Sequence, residues 1–210
     1  MLKIGVPTGL QVIMVSLAEI AVLSFVNRFG SSATAAYGAV NQIVSYVSFP
    51  ALSIGIAASI LSAQAIGARR EDLLGKVVRS AVGLTYAIGG TIIVVCYVFA
   101  WKILGWFITD ASTLAIAHTL LFITLWSYLI FGNSAAISWV VRGSGDVIVP
   151  TINGIVGIWV VEVPAAYLLM GRFGLDGVWL GYPISFIAVL CLQYGYYTFF
   201  WKQKTHARLA

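Results

Sequence analysis

The sequence predicts an all-α membrane protein in which six transmembrane helices form a single bundle, and three observations carry that prediction. Only 9% of the 210 residues are charged, whereas roughly a quarter are charged in an average soluble domain. The chain is 60% hydrophobic, with a mean hydropathy of +0.98. The apolar residues are also gathered into runs. No charged side chain stands between Arg28 and Arg69, and further charge-free stretches follow at 80–101, 111–141, 147–161 and 177–201. A span needs about 20 apolar residues to cross roughly 30 Å of hydrocarbon, so six spans use about 130 to 150 residues. Residues 1–210 therefore read as one six-helix unit, with no room for a separate soluble catalytic domain.

The first span is expected over 7–28, opened by Pro7, because a missing N–H is harmless in a first helical turn. The run is too long for a removable signal peptide and lacks a small-residue cleavage site. Arg28-Phe29-Gly30-Ser31-Ser32 reads as a tight turn into the second span, 33–67, which holds Pro50 as a kink. Ala51, Gly55, Ser59, Ala63 and Gly67 recur every fourth residue there, a stripe that lets a neighbouring backbone come close. After a charged connector, the third span covers 77–99, with Trp101 and Trp106 at its exit at headgroup depth. Asp110-Ala111-Ser112 is a helix start, and the fourth span runs over 112–141 as one helix. Arg142-Gly143-Ser144-Gly145-Asp146 forms a loop, Pro150 helps start the fifth span at 149–170, and a turn leads to the sixth at 178–201. Tyr194, Tyr196, Tyr197 and Trp201 read as an interfacial belt before a basic tail.

The net charge of +5 does not point to nucleic acid, because the basic residues flank apolar runs instead of forming a stripe beside stacking aromatics. They report topology. Lys3, Arg69, Arg70, Lys76, Arg79, Arg142, Lys202, Lys204 and Arg208 fall on one side, and Arg28, Lys102 and Arg172 on the other. Nine against three favours both termini in the cytoplasm, and an even number of spans requires the termini to share a side. Cys96 and Cys191 lie inside spans with no metal-ligand spacing, and His118 and His206 stand far apart. No nucleophile–base pair or phosphate-cradling loop is present, and Gly143-Ser144-Gly145 lacks the lysine of a P-loop. The sequence therefore predicts no enzyme, no metal site and no cofactor.

Five of the seven acidic residues lie in connectors; Glu19 and Glu162 fall near the middle of spans. Burying a carboxylate at a helix centre costs about 2.5 to 3.5 kcal/mol on insertion scales, so such residues usually face a cavity or a partner and bind ions, protons or cationic substrates. The plainer alternative is a pairing with a buried donor. Pro164, two residues after Glu162, frees backbone carbonyls nearby, as in the broken helices that line transporter sites. Asn41 and Asn133 are the other candidates for ligand contact, although an intramembrane amide is more often interhelical glue.

The connectors taken in order carry a resemblance. They are Gly5-Val6-Pro7-Thr8-Gly9-Leu10-Gln11, Val26-Asn27-Arg28-Phe29-Gly30, Ala35-Ala36-Tyr37-Gly38-Ala39, Gln64-Ala65-Ile66-Gly67-Ala68 and Arg142-Gly143-Ser144-Gly145-Asp146 with Pro150. Val163-Pro164-Ala165-Ala166-Tyr167-Leu168-Leu169 and Gly174-Leu175-Asp176-Gly177-Val178-Trp179 complete the set. Together they resemble the C-terminal six-helix half of the multidrug and toxic compound extrusion (MATE) family. The resemblance implies a secondary antiporter of the inner (plasma) membrane that expels small cationic amphipathic drugs against Na+ or H+, without a bound cofactor. It also implies a second six-helix lobe, either an N-terminal half missing from this chain or a second copy. Some branches of the family place a cation-binding glutamate eight residues after the proline, where this chain has Val15; Glu19 lies one helical turn further on. Two other readings stay open at this point: a lipid-linked oligosaccharide flippase of the same superfamily, and a non-transporting truncated remnant.

Overall fold

The computed structural model describes residues 2–203. Lys204, His206 and Arg208 of the basic tail lie outside the described residues, as does the side chain of Lys3. Among the described residues the regular structure is entirely helical. Helices α1 (Leu2–Asn27) and α2 (Ser31–Gly67) are followed by a 3₁₀ turn, Glu71–Leu73. Helix α3 is Leu74–Val98, and α4 is the short Ala100–Gly105. Then come α5 (Ala111–Thr124), α6 (Ser127–Gly143), α7 (Ile148–Phe173) and α8 (Leu175–Phe199).

Helices α1, α2, α3, α7 and α8 are each long and apolar enough to cross a membrane, and α5 with α6 makes a sixth span bent by 46°. The chain is thus an integral membrane protein. The span expected over 112–141 is thus made of two helices meeting at a bend, and the cause is visible. In an unbroken helix the Trp126 N–H would bond to the Phe122 carbonyl. Here the Tyr97 hydroxyl sits between them, accepting from Trp126 N at 3.1 Å and donating to Phe122 O at 3.3 Å. A side chain inserted into the i→i−4 ladder is a known cause of kinks. Helix α1 also starts earlier than expected, so Pro7 stands inside it and removes a bond only to its opening turn.

Helix α2 packs along α5 and α6, α8 packs against α6 and α7, and α1 and α3 lie at the periphery. The small-residue face of α2 meets α6 at three points. The Trp139 ring covers Gly55, Gly132 lies over Ala51, and Gly143 abuts the Ser59 backbone. Ala63, however, is exposed, and the buried line runs through Ala51, Gly55, Ala58, Ser62 and Ala65. A strict four-residue spacing drifts about 40° per step around a 3.6-residue helix, so only the corrected spacing stays on one face.

Two apolar cores occupy opposite ends of the bundle. One gathers Val22, Val26, Val40, Leu104, Leu121, Leu125, Val178 and Trp179; the other gathers Ala58, Ile66, Ala136, Val140, Val141 and Trp201. Along the chain, the buried polar residues Ser127, Asn133, Ser134, Glu162 and Ser185 fall between them. That intermediate level holds the bundle's buried carboxylate.

Candidate functional site

Glu162 closes a widened turn of α7. Residues Gly157–Glu162 form a π-helical turn directly ahead of Pro164. A proline removes an i→i−4 bond, and a single π turn inside an α-helix is a recurrent feature of functional sites. The Glu162 side chain is buried, at 8% exposure. The Ser185 hydroxyl on α8 lies within hydrogen-bonding reach of its carboxyl group and donates to the Gly157 carbonyl at 3.0 Å. The Ser185 proton is thus given to the π turn, with the Glu162 carboxyl group close by.

Glu19 stands on the exposed side of α1, close enough to Glu162 for their charges to interact. Three phenols complete the group. Tyr37 from α2, Tyr128 from α6 and Tyr182 from α8 all feel Glu162, and Tyr37 and Tyr128 also feel Glu19. The Tyr37 and Tyr182 hydroxyls are 2.8 Å apart, and Asn41 stands one helical turn after Tyr37 on α2. Tyr37 stacks on Trp179 with centroids 5.6 Å apart, while Tyr128 and Tyr182 both pack against Phe186. Five helices therefore converge on one acidic, aromatic cluster.

Of the four residues singled out from sequence, the structure brings Glu19, Glu162 and Asn41 into this cluster. Asn133 is not brought in. It is buried on α6 with no hydrogen-bond partner at Oδ1 among the described residues. It also lies five residues after Tyr128, about 140° around the helix from it. Sequence reasoning missed Tyr37, Tyr128, Tyr182 and Ser185. The signal for the tyrosines was a phenol inside an apolar, charge-free run; a lone serine carries no such signal.

A second polar network lies at the other end of the bundle. The Arg142 guanidinium donates to Gln11 Oε1 at 2.5 Å, Thr151 Oγ1 at 3.1 Å and Ser138 Oγ at 3.3 Å, tying α1, α6 and α7 together. No three His, Cys, Asp or Glu side chains gather to hold a metal ion among the described residues. His118 is instead stacked between Trp101 and Phe122, at 4.2 and 4.4 Å. Cys96 and Cys191 are free thiols.

Comparison with known proteins matches residues 7–168 to the MatE family. The probable multidrug resistance protein YoeA of Bacillus subtilis (strain 168) is 54% identical over the whole of this chain, which covers 46% of YoeA. An outward-facing MATE family transporter of the MOP superfamily superposes with a TM-score of 0.88 at 18% identity, over 100% of this chain and 46% of that one. The Vibrio cholerae MATE transporter VcmN in its bent form gives 0.87 at 18% identity, over 93% and 45%. The chain thus spans just under half the length of the relatives it matches.

Proposed function

The chain belongs to the MatE family, and from that premise we propose that it forms one lobe of a multidrug exporter that exchanges cationic amphipathic compounds for Na+ or H+. The observation that carries this reading is a buried carboxylate, Glu162, on a π turn within the membrane-spanning bundle, with the paired Tyr37 and Tyr182 hydroxyls in the same region. Negative charge and aromatic faces suit a desolvated cation. A pyrophosphate-bearing lipid would instead want basic residues at this level, and no lysine or arginine stands near the middle of any span.

In this mechanism the two carboxylates hold either the coupling cation or the substrate. Protonation or cation binding at Glu162 releases the Ser185 hydroxyl to the Gly157 carbonyl, and ionisation draws it back. The state of the site is thereby written into the π turn of α7. Asn41 orients Tyr37, and Asn133 supplies a separate acceptor for substrate. A second six-helix lobe closes the cleft, and the exposed side of α1 bearing Glu19 faces it. Such a protein works by alternating access, in which cation and substrate favour opposite orientations of the lobes.

The test is ethidium efflux from proteoliposomes of the whole transporter under an imposed sodium or proton gradient. Glu19→Gln and Glu162→Gln should each lower gradient-driven efflux by about tenfold or more, the loss of roughly 1.4 kcal/mol of cation interaction, with normal insertion. Full coupled efflux in both variants removes the assignment.

A further inference from the structure

We propose that Trp159 is a positioning residue for cation coupling, setting α1, and with it Glu19, against the π turn that ends in Glu162. Its indole N–H donates across the helix interface to the backbone carbonyl of Met14 at 3.1 Å. Trp159 belongs to the Gly157–Glu162 turn itself, three residues before the buried carboxylate. Met14 stands five residues before Glu19 on α1. The bond therefore links the two segments that carry the acidic groups, and it ends on a main-chain atom, so it fixes backbone to turn.

The way α1 is held makes this bond consequential. The buried side chains of α1 are Ala18, Val22 and Val26, which follow one face of its second half. From Gly5 to Leu17 no side chain of α1 is buried. Pro7, Thr8, Gln11, Met14 and Val15 are half-buried there, and polar contacts add to their packing. Trp159 reaches Met14, while Gln11 meets the Arg142 guanidinium and lies over Gly154, where an added Cβ would come within 2.8 Å of its Nε2. Glu19 sits beside Ala18, where the fully buried apolar face of α1 begins. A widened turn that relaxes or tightens moves Trp159, and through it the loosely packed half of α1. Gln11 and Arg142 hold the far end, leaving Trp159 as the tether that reports the state of the turn.

This inference rests on the exporter reading, and two measurements on the whole transporter separate their failures. Trp159→Phe keeps an aromatic ring, smaller than the indole, and deletes the donor. The half-saturating sodium concentration of ethidium efflux, its pH profile, and the thermal shift in detergent caused by NaCl or by lowered pH are compared with the wild type. The expected result is a displacement of about fivefold in half-saturating sodium, or of the pH profile where protons drive efflux, as befits one lost hydrogen bond. Maximal rate and cation-free melting temperature stay near wild type, and the cation-induced thermal shift shrinks. An unchanged cation dependence overturns the inference, as does a loss of maximal rate and melting temperature with unaltered cation dependence, which is the signature of a merely structural contact. Should Trp159→Phe not fold, Trp159→Met, which also lacks a donor, takes its place: a displaced cation dependence supports the tether, and an unchanged one overturns it. If the wild type itself shows neither cation-driven efflux nor a cation-induced thermal shift, the exporter reading fails first.

Discussion

At the residue scale, two glycines of the connector motifs are fixed by close approach. A Cβ on Gly177 would overlap the backbone carbonyl of Leu169 in the preceding helix, and one on Gly143 would overlap that of Ser59. Backbone atoms of a packed helix cannot swing aside as a side chain does. Gly177→Ala should therefore cost about 1 to 3 kcal/mol or more through overpacking. Gly171→Ala on α7, where nothing beyond the helix's own backbone lies within 4 Å of an added Cβ, should stabilise by up to about 1 kcal/mol from helix propensity. Thermal unfolding in detergent reads both, and equal effects at the two sites would contradict the steric argument. Asp110 gives a pH-dependent counterpart. Its carboxylate caps α5, accepting from Ser112 Oγ at 2.5 Å and from Thr113 N and Oγ1, each at 2.8 Å. Those bonds, that from Ser112 first, pull its pKa down to about 2. Because the folded value is depressed, the cap contributes stability above the ordinary aspartate range and loses it as pH falls toward 2. The protection factor of the Thr113 amide should drop between pH 4 and 2 in the wild type and stay level in Asp110→Asn, which keeps a capping oxygen without titrating.

At the scale of elements, what the sequence disclosed was length and depth, and what it concealed was shape. Charge-free runs located the spans, since burying an unpaired charge in lipid is costly whatever the fold. The same rule singled out Glu19 and Glu162 as the acidic residues inside spans. The break between α5 and α6 left no local mark. Leu125 and Trp126 are neither proline nor glycine, and the agent is a hydroxyl on α3, more than twenty residues away in the chain. The convergence of Tyr37, Tyr128 and Tyr182 is equally tertiary, because it depends on which faces of α2, α6 and α8 turn toward one another. If the inserted phenol causes the bend, Tyr97→Phe should let the Trp126 N–H close onto the Phe122 carbonyl. An experimental structure of that variant should then show an angle well below the present 46°. A bend that persists would assign it to packing around Leu125, which is fully buried.

At the scale of the whole molecule, contacts between distant residues sort the helix ends into two layers. Arg142 with Gln11 and Thr151, Gly143 with Ser59, and Trp201 with Ser144 mark one. Thr34 with Asn27, His118 with Trp101, and Gly174 near Phe29 mark the other. The first layer holds Arg69, Arg70, Lys76, Arg79, Arg142 and Lys202, and the second holds Arg28, Lys102 and Arg172. Even without the three basic residues outside the described side chains, the count of nine minus three still leaves six against three. The positive-inside rule weights residues in short connectors of this kind, so the first layer is proposed to face the cytoplasm. Ala68 and Ala111 are exposed and stand in opposite layers. In a background where the exposed Cys191 is replaced by alanine, a membrane-impermeant maleimide applied to intact cells should label Ala111→Cys and spare Ala68→Cys until the cells are opened. The reverse pattern would invert the bundle. The cluster of Glu19, Tyr37 and Tyr182 would then sit nearer the cytoplasmic mouth, since Tyr37 begins only about 9 Å along α2 from the second layer. The side from which a cation first reaches the carboxylates follows directly from that labelling result.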